Sequence, residues 1–291
     1  MLKRLIGLCC LLAWPTYAFS GAWTLPQGKF WGKVTFFQQS SDEWYIASAE
    51  FADGKFHDPG TRRPYRFNGA YKSKAVFIEG FYGVTNRFDL GIQIPYFDQE
   101  FSDDTRDNPP SDAGFSDIRV FAKGRVFQKP VIFTLKTGVK MTTGEFRNEE
   151  GLIPVGEGQW DFEFIGQVGR SFWPWPLYGN VDIGYRVRMK NDELERDPGD
   201  EWLFNAELGY HITKQLLLMG KLEGLRGDPS IDFDIIENKS QIKRIIYLAP
   251  ALVYSFHDNV GLELGVRYTL GGQNFPAGYQ MTLGLSTSLG G

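Results

Sequence analysis

Histidine is scarce in this sequence, with three among 291 residues, whereas glycine and aromatic residues are abundant. A chain so poor in histidine is not expected to be a metalloenzyme, and we predict neither a metal site nor a cofactor. The formal net charge of −4 gives no electrostatic reason to expect nucleic-acid binding. No apolar run approaches the roughly 18 residues that a membrane-spanning helix needs, which excludes a helical membrane bundle.

Cysteine is absent after residue 10, because both cysteines lie within a predicted signal peptide. Residues 3 and 4 are basic, residues 5–14 are apolar, and Thr16-Tyr17-Ala18 places small residues at positions −3 and −1 of a cleavage site. We therefore predict export through the Sec pathway and cleavage after Ala18, with Ser20 and Ala22 as alternatives. A large exported chain without disulfides must be stabilised by other means.

From about residue 28 onward, apolar and polar residues alternate with period two. In residues 260–270 every even position is apolar, whereas the odd positions hold Gly, Glu, Gly, Arg and Thr. Alternation of this kind predicts strands with one apolar and one polar face. The predicted strands cover residues 28–46, 69–83, 87–101, 113–126, 131–146, 158–172, 177–190, 201–212, 215–227, 240–256, 259–271 and 276–289.

These strands are longer than the roughly 3–10 residues usual in soluble sheets, and they suit a tilted crossing of a bilayer. Short turns alternate with longer polar loops, as in bacterial outer-membrane barrels. Aromatic residues mark both ends of the predicted apolar band. Residues 19–291 are therefore predicted to form one all-β domain, an antiparallel transmembrane β-barrel of about 12 strands with short periplasmic turns and longer extracellular loops. A β-propeller or a β-sandwich would need shorter strands.

The polar face is predicted to carry charges of both signs into the barrel. Arg119, Lys123, Arg125, Lys136 and Lys140 on strands four and five form a basic strip that only Asp117 is expected to oppose, which would favour anions. A salt-bridged, closed interior is the alternative to a hydrated passage. The candidates for lining the lumen are Arg119, Lys123, Arg125, Lys136, Lys140, Asp161, Glu163, Arg186, Arg188, Glu207, Lys221, Glu263 and Arg267.

Four segments resemble the outer-membrane family named for the meta pathway of phenol degradation. They are residues 82–91 (YGVTNRFDLG), 114–119 (GFSDIR), 140–146 (KMTTGEF) and 156–161 (GEGQWD), and the resemblance covers roughly residues 70–210. It implies an outer-membrane β-barrel that passes small molecules, with aromatic acids as candidates. The family has no established catalytic set, so no site residue is carried over.

The sequence thus predicts passage of small anionic or aromatic solutes across the outer membrane. The expected partners are outer-membrane lipid, lipopolysaccharide and the barrel assembly machinery. A closed structural or adhesive barrel acting through its extracellular loops is the alternative, and a hydrolase is a third hypothesis. Hydrolysis by a Ser/His site is disfavoured because none of His57, His211 and His257 is expected on the lipid-facing wall beside a serine.

Overall fold

The computed structural model describes residues 21–105, 107–146, 154–257 and 259–290. The predicted signal peptide lies outside the described residues, as does most of the third long loop. Within them, twelve long strands form the barrel wall, the fourth of them in two segments. They are β1 (Phe30–Ser41), β2 (Ala70–Thr85), β3 (Phe88–Ser102), β4 (Ser111–Phe115 and Arg119–Phe127), β5 (Ile132–Lys140), β6 (Asp161–Ser171), β7 (Leu177–Arg188), β8 (Glu201–His211), β9 (Leu216–Gly227), β10 (Arg244–His257), β11 (Val260–Gln273) and β12 (Tyr279–Leu289).

Each strand pairs antiparallel with its neighbours in sequence, and β1 pairs with β12 to close the barrel. Closure gives the backbone N–H and C=O groups of the two edge strands hydrogen-bond partners. A chain surrounded by lipid requires this, because the hydrocarbon offers no water to bond with. The prediction of a closed antiparallel barrel of about 12 strands is confirmed. In the described part of the chain, no helix is long and apolar enough to cross a membrane.

Two predicted strands end earlier in the structure than the alternation suggested. The first stops at Ser41 and is followed by a separate short strand, Glu43–Tyr45. The fifth stops at Lys140 rather than at residue 146. After Lys140 the chain turns across the gap in β4, where the Gly144 amide donates to Asp117. The residues at the interruption of β4 thus form hydrogen bonds with residues 141–146, which therefore do not continue β5 in the wall.

The long loops carry additional short strands at the end of the barrel opposite the tight turns. Strands Glu43–Tyr45, Arg62–Pro64 and Phe275–Pro276 form one small sheet, and Arg196–Asp197, Ser230–Asp232 and Ile236–Asn238 form another. Glu50–Ala52 and Lys55–His57 pair as a hairpin. Tyr45, Ile245, Tyr247 and Ala277 pack into a buried cluster beneath the first sheet. The described parts of these loops therefore form small sheets at the extracellular end of the wall.

The apolar face of the strands points outward, as the alternation predicts. Leu264 and Leu283, which lie opposite each other on β11 and β12, are 54% and 44% exposed on the outer surface. Their neighbours Gly265 and Thr282 pair on the inner face. Apolar side chains exposed in this way require a hydrocarbon environment.

Replacement of Leu264 by arginine is expected to cost about 2–4 kcal/mol of folding free energy, because it places a cation in the lipid-facing band. Thr282→Arg, on the neighbouring strand and the inner face, is the matched control and should cost less. Urea titrations of folding into lipid vesicles measure both. Equal destabilisation by the two variants would contradict the assignment of faces on these strands.

Candidate solute path inside the barrel

The segment before β1 lies inside the barrel, which the sequence did not predict. Ala22 and Leu25 are fully buried, at 0% and 2% exposure. The Ala22 amide donates to Asn180 Oδ1 on β7 at 2.8 Å, and the Leu25 amide donates to the Asp89 carboxylate on β3 at 3.1 Å. The segment therefore reaches from β3 to β7 near the end that carries the tight turns.

Side chains of the wall hold this segment along its length. Thr134 donates its hydroxyl to the Ala22 carbonyl, and Lys123 donates from Nζ to the Trp23 carbonyl. The Trp23 indole packs edge-on against Tyr178, with ring centroids 5.7 Å apart. We name residues 21–25 the internal segment, since the residues that follow it, 26–28, are exposed. It narrows the interior at the periplasmic end.

Near the extracellular end, Lys140 lies among three carboxylates, of which Asp117 and Asp161 are buried and Glu157 is partly exposed. Its ammonium is 3.1 Å from Asp161 and 3.4 Å from Asp117, and it also contacts Glu157. The Lys140 side chain is only 2% exposed. Burial raises the pKa of Glu157, but nearby Arg188, Lys243 and Lys140 outweigh this and hold it well below its usual range. The cluster is therefore held together by ion pairs.

This cluster continues sideways along β6, β7 and β8. Arg188 pairs with Glu157 at 2.9 Å and with Glu201 at 3.2 Å. Arg186 bridges Glu201 and Glu163, and Arg119 on β4 reaches Glu163 at 3.2 Å. Further round the wall are three separate pairs, of which the first joins adjacent strands and the other two each reach across one intervening strand. They are Lys221–Glu207, Lys33–Glu263 and Arg267–Glu223.

The expectation that the basic strip lacks opposing carboxylates is wrong. The register of β5 with β6 places Asp161 directly opposite Lys140, and Glu163 two residues further along the same face. Arg125, which is half-buried near a tight turn, donates to the Asn86 carbonyl at 2.8 Å. Counting charges on strands four and five alone missed the carboxylates that the next strand brings to the same place.

Lys136 differs from the other cations of that strip. Its Nζ lies 3.9 Å from the centroid of the Phe121 ring and 5.9 Å from that of Phe81. No carboxylate lies within 4 Å of it among the described residues. The side chain is half-buried on the inner face of β5. Lys136 is thus a cation held against aromatic rings and available to a ligand.

Aromatic side chains continue from Phe121 across the inner face of β1 to β4. We name this set the aromatic stripe, and its members are Trp31, Phe37, Phe77, Phe81, Phe97 and Phe121. Successive ring centroids lie 5.6–6.4 Å apart within two groups, Trp31–Phe81–Phe121 and Phe37–Phe77–Phe97. Such contacts stabilise ring pairs in edge-on or offset packing.

Sequence reasoning missed the stripe because it assigned a polar inner face to every strand. A signal was present: the alternation lapses at Ala75-Val76-Phe77-Ile78 and at Phe36-Phe37, where apolar residues are consecutive. A strand that is apolar on both faces packs against something apolar on each. Four of the six rings remain half-buried rather than fully enclosed. The interior therefore has an aromatic side and an ion-paired side, with Lys136 at their boundary.

The fold defined by this closed, lipid-facing wall is the transmembrane β-barrel of the outer-membrane class. The family model described as "Putative MetA-pathway of phenol degradation" matches residues 66–285. The chain belongs to this family, which confirms the resemblance that the sequence motifs indicated. No curated protein matches the sequence.

Solved structures show the same architecture. The chain is similar to the crystal structure of an outer membrane channel from Pseudomonas putida F1, with a TM-score of 0.75 and 14% identity, covering 93% of this chain and 98% of that one. It is also similar to the β domain of the Bordetella autotransporter BrkA, with a TM-score of 0.51 and 10% identity, covering 90% of this chain and 100% of that one. At these identities the likeness shows the fold.

Proposed function

We propose that this protein is an outer-membrane channel for small aromatic anions. It would be exported through the Sec pathway and inserted by the barrel assembly machinery. The observation that carries the proposal is Lys136, a cation without a carboxylate partner within 4 Å among the described residues, set against Phe121 and Phe81. The carboxylate of an aromatic acid would pair with the Lys136 ammonium while its ring packs along the aromatic stripe.

The name of the structurally similar Pseudomonas putida protein supports passage of a solute rather than catalysis. Two of the three described histidines fit this proposal. His57 Nε2 lies 2.6 Å from an Arg63 nitrogen, and His211 Nε2 is buried without a hydrogen-bond partner in the described part of the chain. Neither is positioned to activate a nucleophile. We therefore propose a function without an enzymatic step.

Lys136→Gln is expected to lower the ratio of benzoate flux to benzyl alcohol flux by about tenfold, since a hydrogen bond to a charged group contributes roughly 1.5–3 kcal/mol. The two solutes share an aromatic ring and differ in charge, so the ratio isolates the contribution of the ammonium. Flux into liposomes reconstituted with the protein provides the measurement.

Two controls make this test specific. Phe121→Leu should reduce the flux of both aromatic solutes relative to a sugar, whereas Val253→Thr, on the inner face of β10, should change neither ratio. An unchanged benzoate ratio in Lys136→Gln would reject Lys136 as the anion site. Absence of flux for every solute would reject the channel.

A closed structural barrel is the second candidate function, because the internal segment and the ion pairs occupy part of the interior. Single-channel recording separates the two candidates. A channel passes current in planar bilayers, whereas a closed barrel passes none before or after substitution of Lys136.

A further inference from the structure

Two arginines face each other on the outer surface of the wall near the extracellular loops. Arg226 near the end of β9 lies directly opposite Arg244 at the start of β10. Both side chains are exposed, and each shares its face with the apolar residues that point toward lipid, such as Leu222 and Ile246. The pair therefore lies where the apolar band meets the extracellular loops.

No carboxylate lies within 4 Å of either guanidinium in the described ranges of the chain. Like charges directly opposite each other destabilise a strand pair. The arrangement is consequently unfavourable unless an anion lies between the two side chains. Trp202, opposite Arg226 on the next strand, is exposed on the same surface, and tryptophan is characteristic of the headgroup region of a membrane.

Two other outward cations at the same end of the barrel lie opposite carboxylates of the protein itself. On β2, Lys72 pairs with Glu100 at 3.3 Å, and Lys74 lies opposite Asp98. These two outward pairs of cations thus have different surroundings. Those on β2 face carboxylates, whereas those on β9 and β10 face each other.

We propose that Arg226 and Arg244 bind a phosphate group of an outer-leaflet glycolipid. The guanidinium fork matches the geometry of phosphate oxygens and binds them in bidentate fashion. Two forks from adjacent strands can hold one phosphate between them, which removes their mutual repulsion. The apolar surface next to them accommodates the acyl chains of the same lipid. The occupant is therefore a phosphorylated lipid rather than free phosphate.

The test measures lipid binding by the folded full-length barrel in detergent. Native mass spectrometry would compare retention of bis-phosphorylated lipid A with retention of the same lipid after phosphatase treatment. In Arg226→Gln/Arg244→Gln, retention of the phosphorylated lipid should fall about tenfold or more. The matched control, Lys72→Gln/Lys74→Gln, also removes two outward cations and should retain the lipid as the unaltered protein does.

A second readout separates binding from a structural role. In lipid-free detergent the Arg226→Gln/Arg244→Gln variant should unfold at the same temperature as the unaltered protein or higher, because the repulsion is gone. Addition of phosphorylated lipid A should then raise the unfolding temperature of the unaltered protein only. The assignment would be overturned if the unaltered protein retained the dephosphorylated lipid as well as the phosphorylated one. It would also be overturned if inorganic phosphate alone raised the unfolding temperature as much as phosphorylated lipid A does. A lower unfolding temperature of the variant without lipid would overturn it as well.

Discussion

Lys140→Met is expected to lower the free energy of unfolding by about 3–5 kcal/mol, the usual result of removing one partner from a buried ion pair. The substitution leaves Asp117 and Asp161, each at most 2% exposed, without their shared cation. Burying these carboxylates without a cation raises the free energy of the folded state only, because water solvates the same groups in the unfolded chain. The temperature at which the folded band converts to the unfolded band on gels should drop markedly.

Lys72→Met is the control for this prediction. It removes a lysine whose ion pair with Glu100 is exposed, with side chains 60% and 42% accessible. Exposed pairs of this kind contribute about 0–1 kcal/mol. If the two variants were destabilised to the same small extent, the cluster around Lys140 would not be the stabilising feature that its geometry indicates.

Deletion of residues 21–25 is expected to increase the single-channel current severalfold. The internal segment reaches across the interior from Asp89 to Asn180. Its removal therefore enlarges the open cross-section of the barrel at that level. The strands of the wall are retained, since β1 begins at Phe30. Planar bilayer recordings at fixed salt concentration measure the effect.

Asp89→Ala provides an intermediate case for the same prediction. It removes the acceptor of the Leu25 amide but leaves the segment in the chain, so we expect brief openings to the larger current. A deletion variant that conducts no better than the full chain would show that the narrowest point of the path lies elsewhere. The ion-paired cluster near the extracellular end would then be the next place to examine.

The alternation of side chains determined the class of this protein without any structure. Period-two patterning over long segments favours a lipid-facing wall, because soluble strands are usually shorter and bury their apolar face against another layer. The same pattern predicted which face of each strand points outward, as Leu264 and Leu283 show. It also located the tight turns, since those are where the alternation stops.

Three features depended on the tertiary structure. The register between strands brings Asp161 opposite Lys140 and Arg226 opposite Arg244, and period two alone leaves the register of neighbouring strands undetermined. The internal segment has no regular pattern, and its position is set by side chains from strands distant in sequence, including Asp89 and Asn180. Closure of the barrel then places the aromatic stripe and the ion pairs around one interior. The sequence determined the wall, and the contacts between distant strands decided what lies inside it.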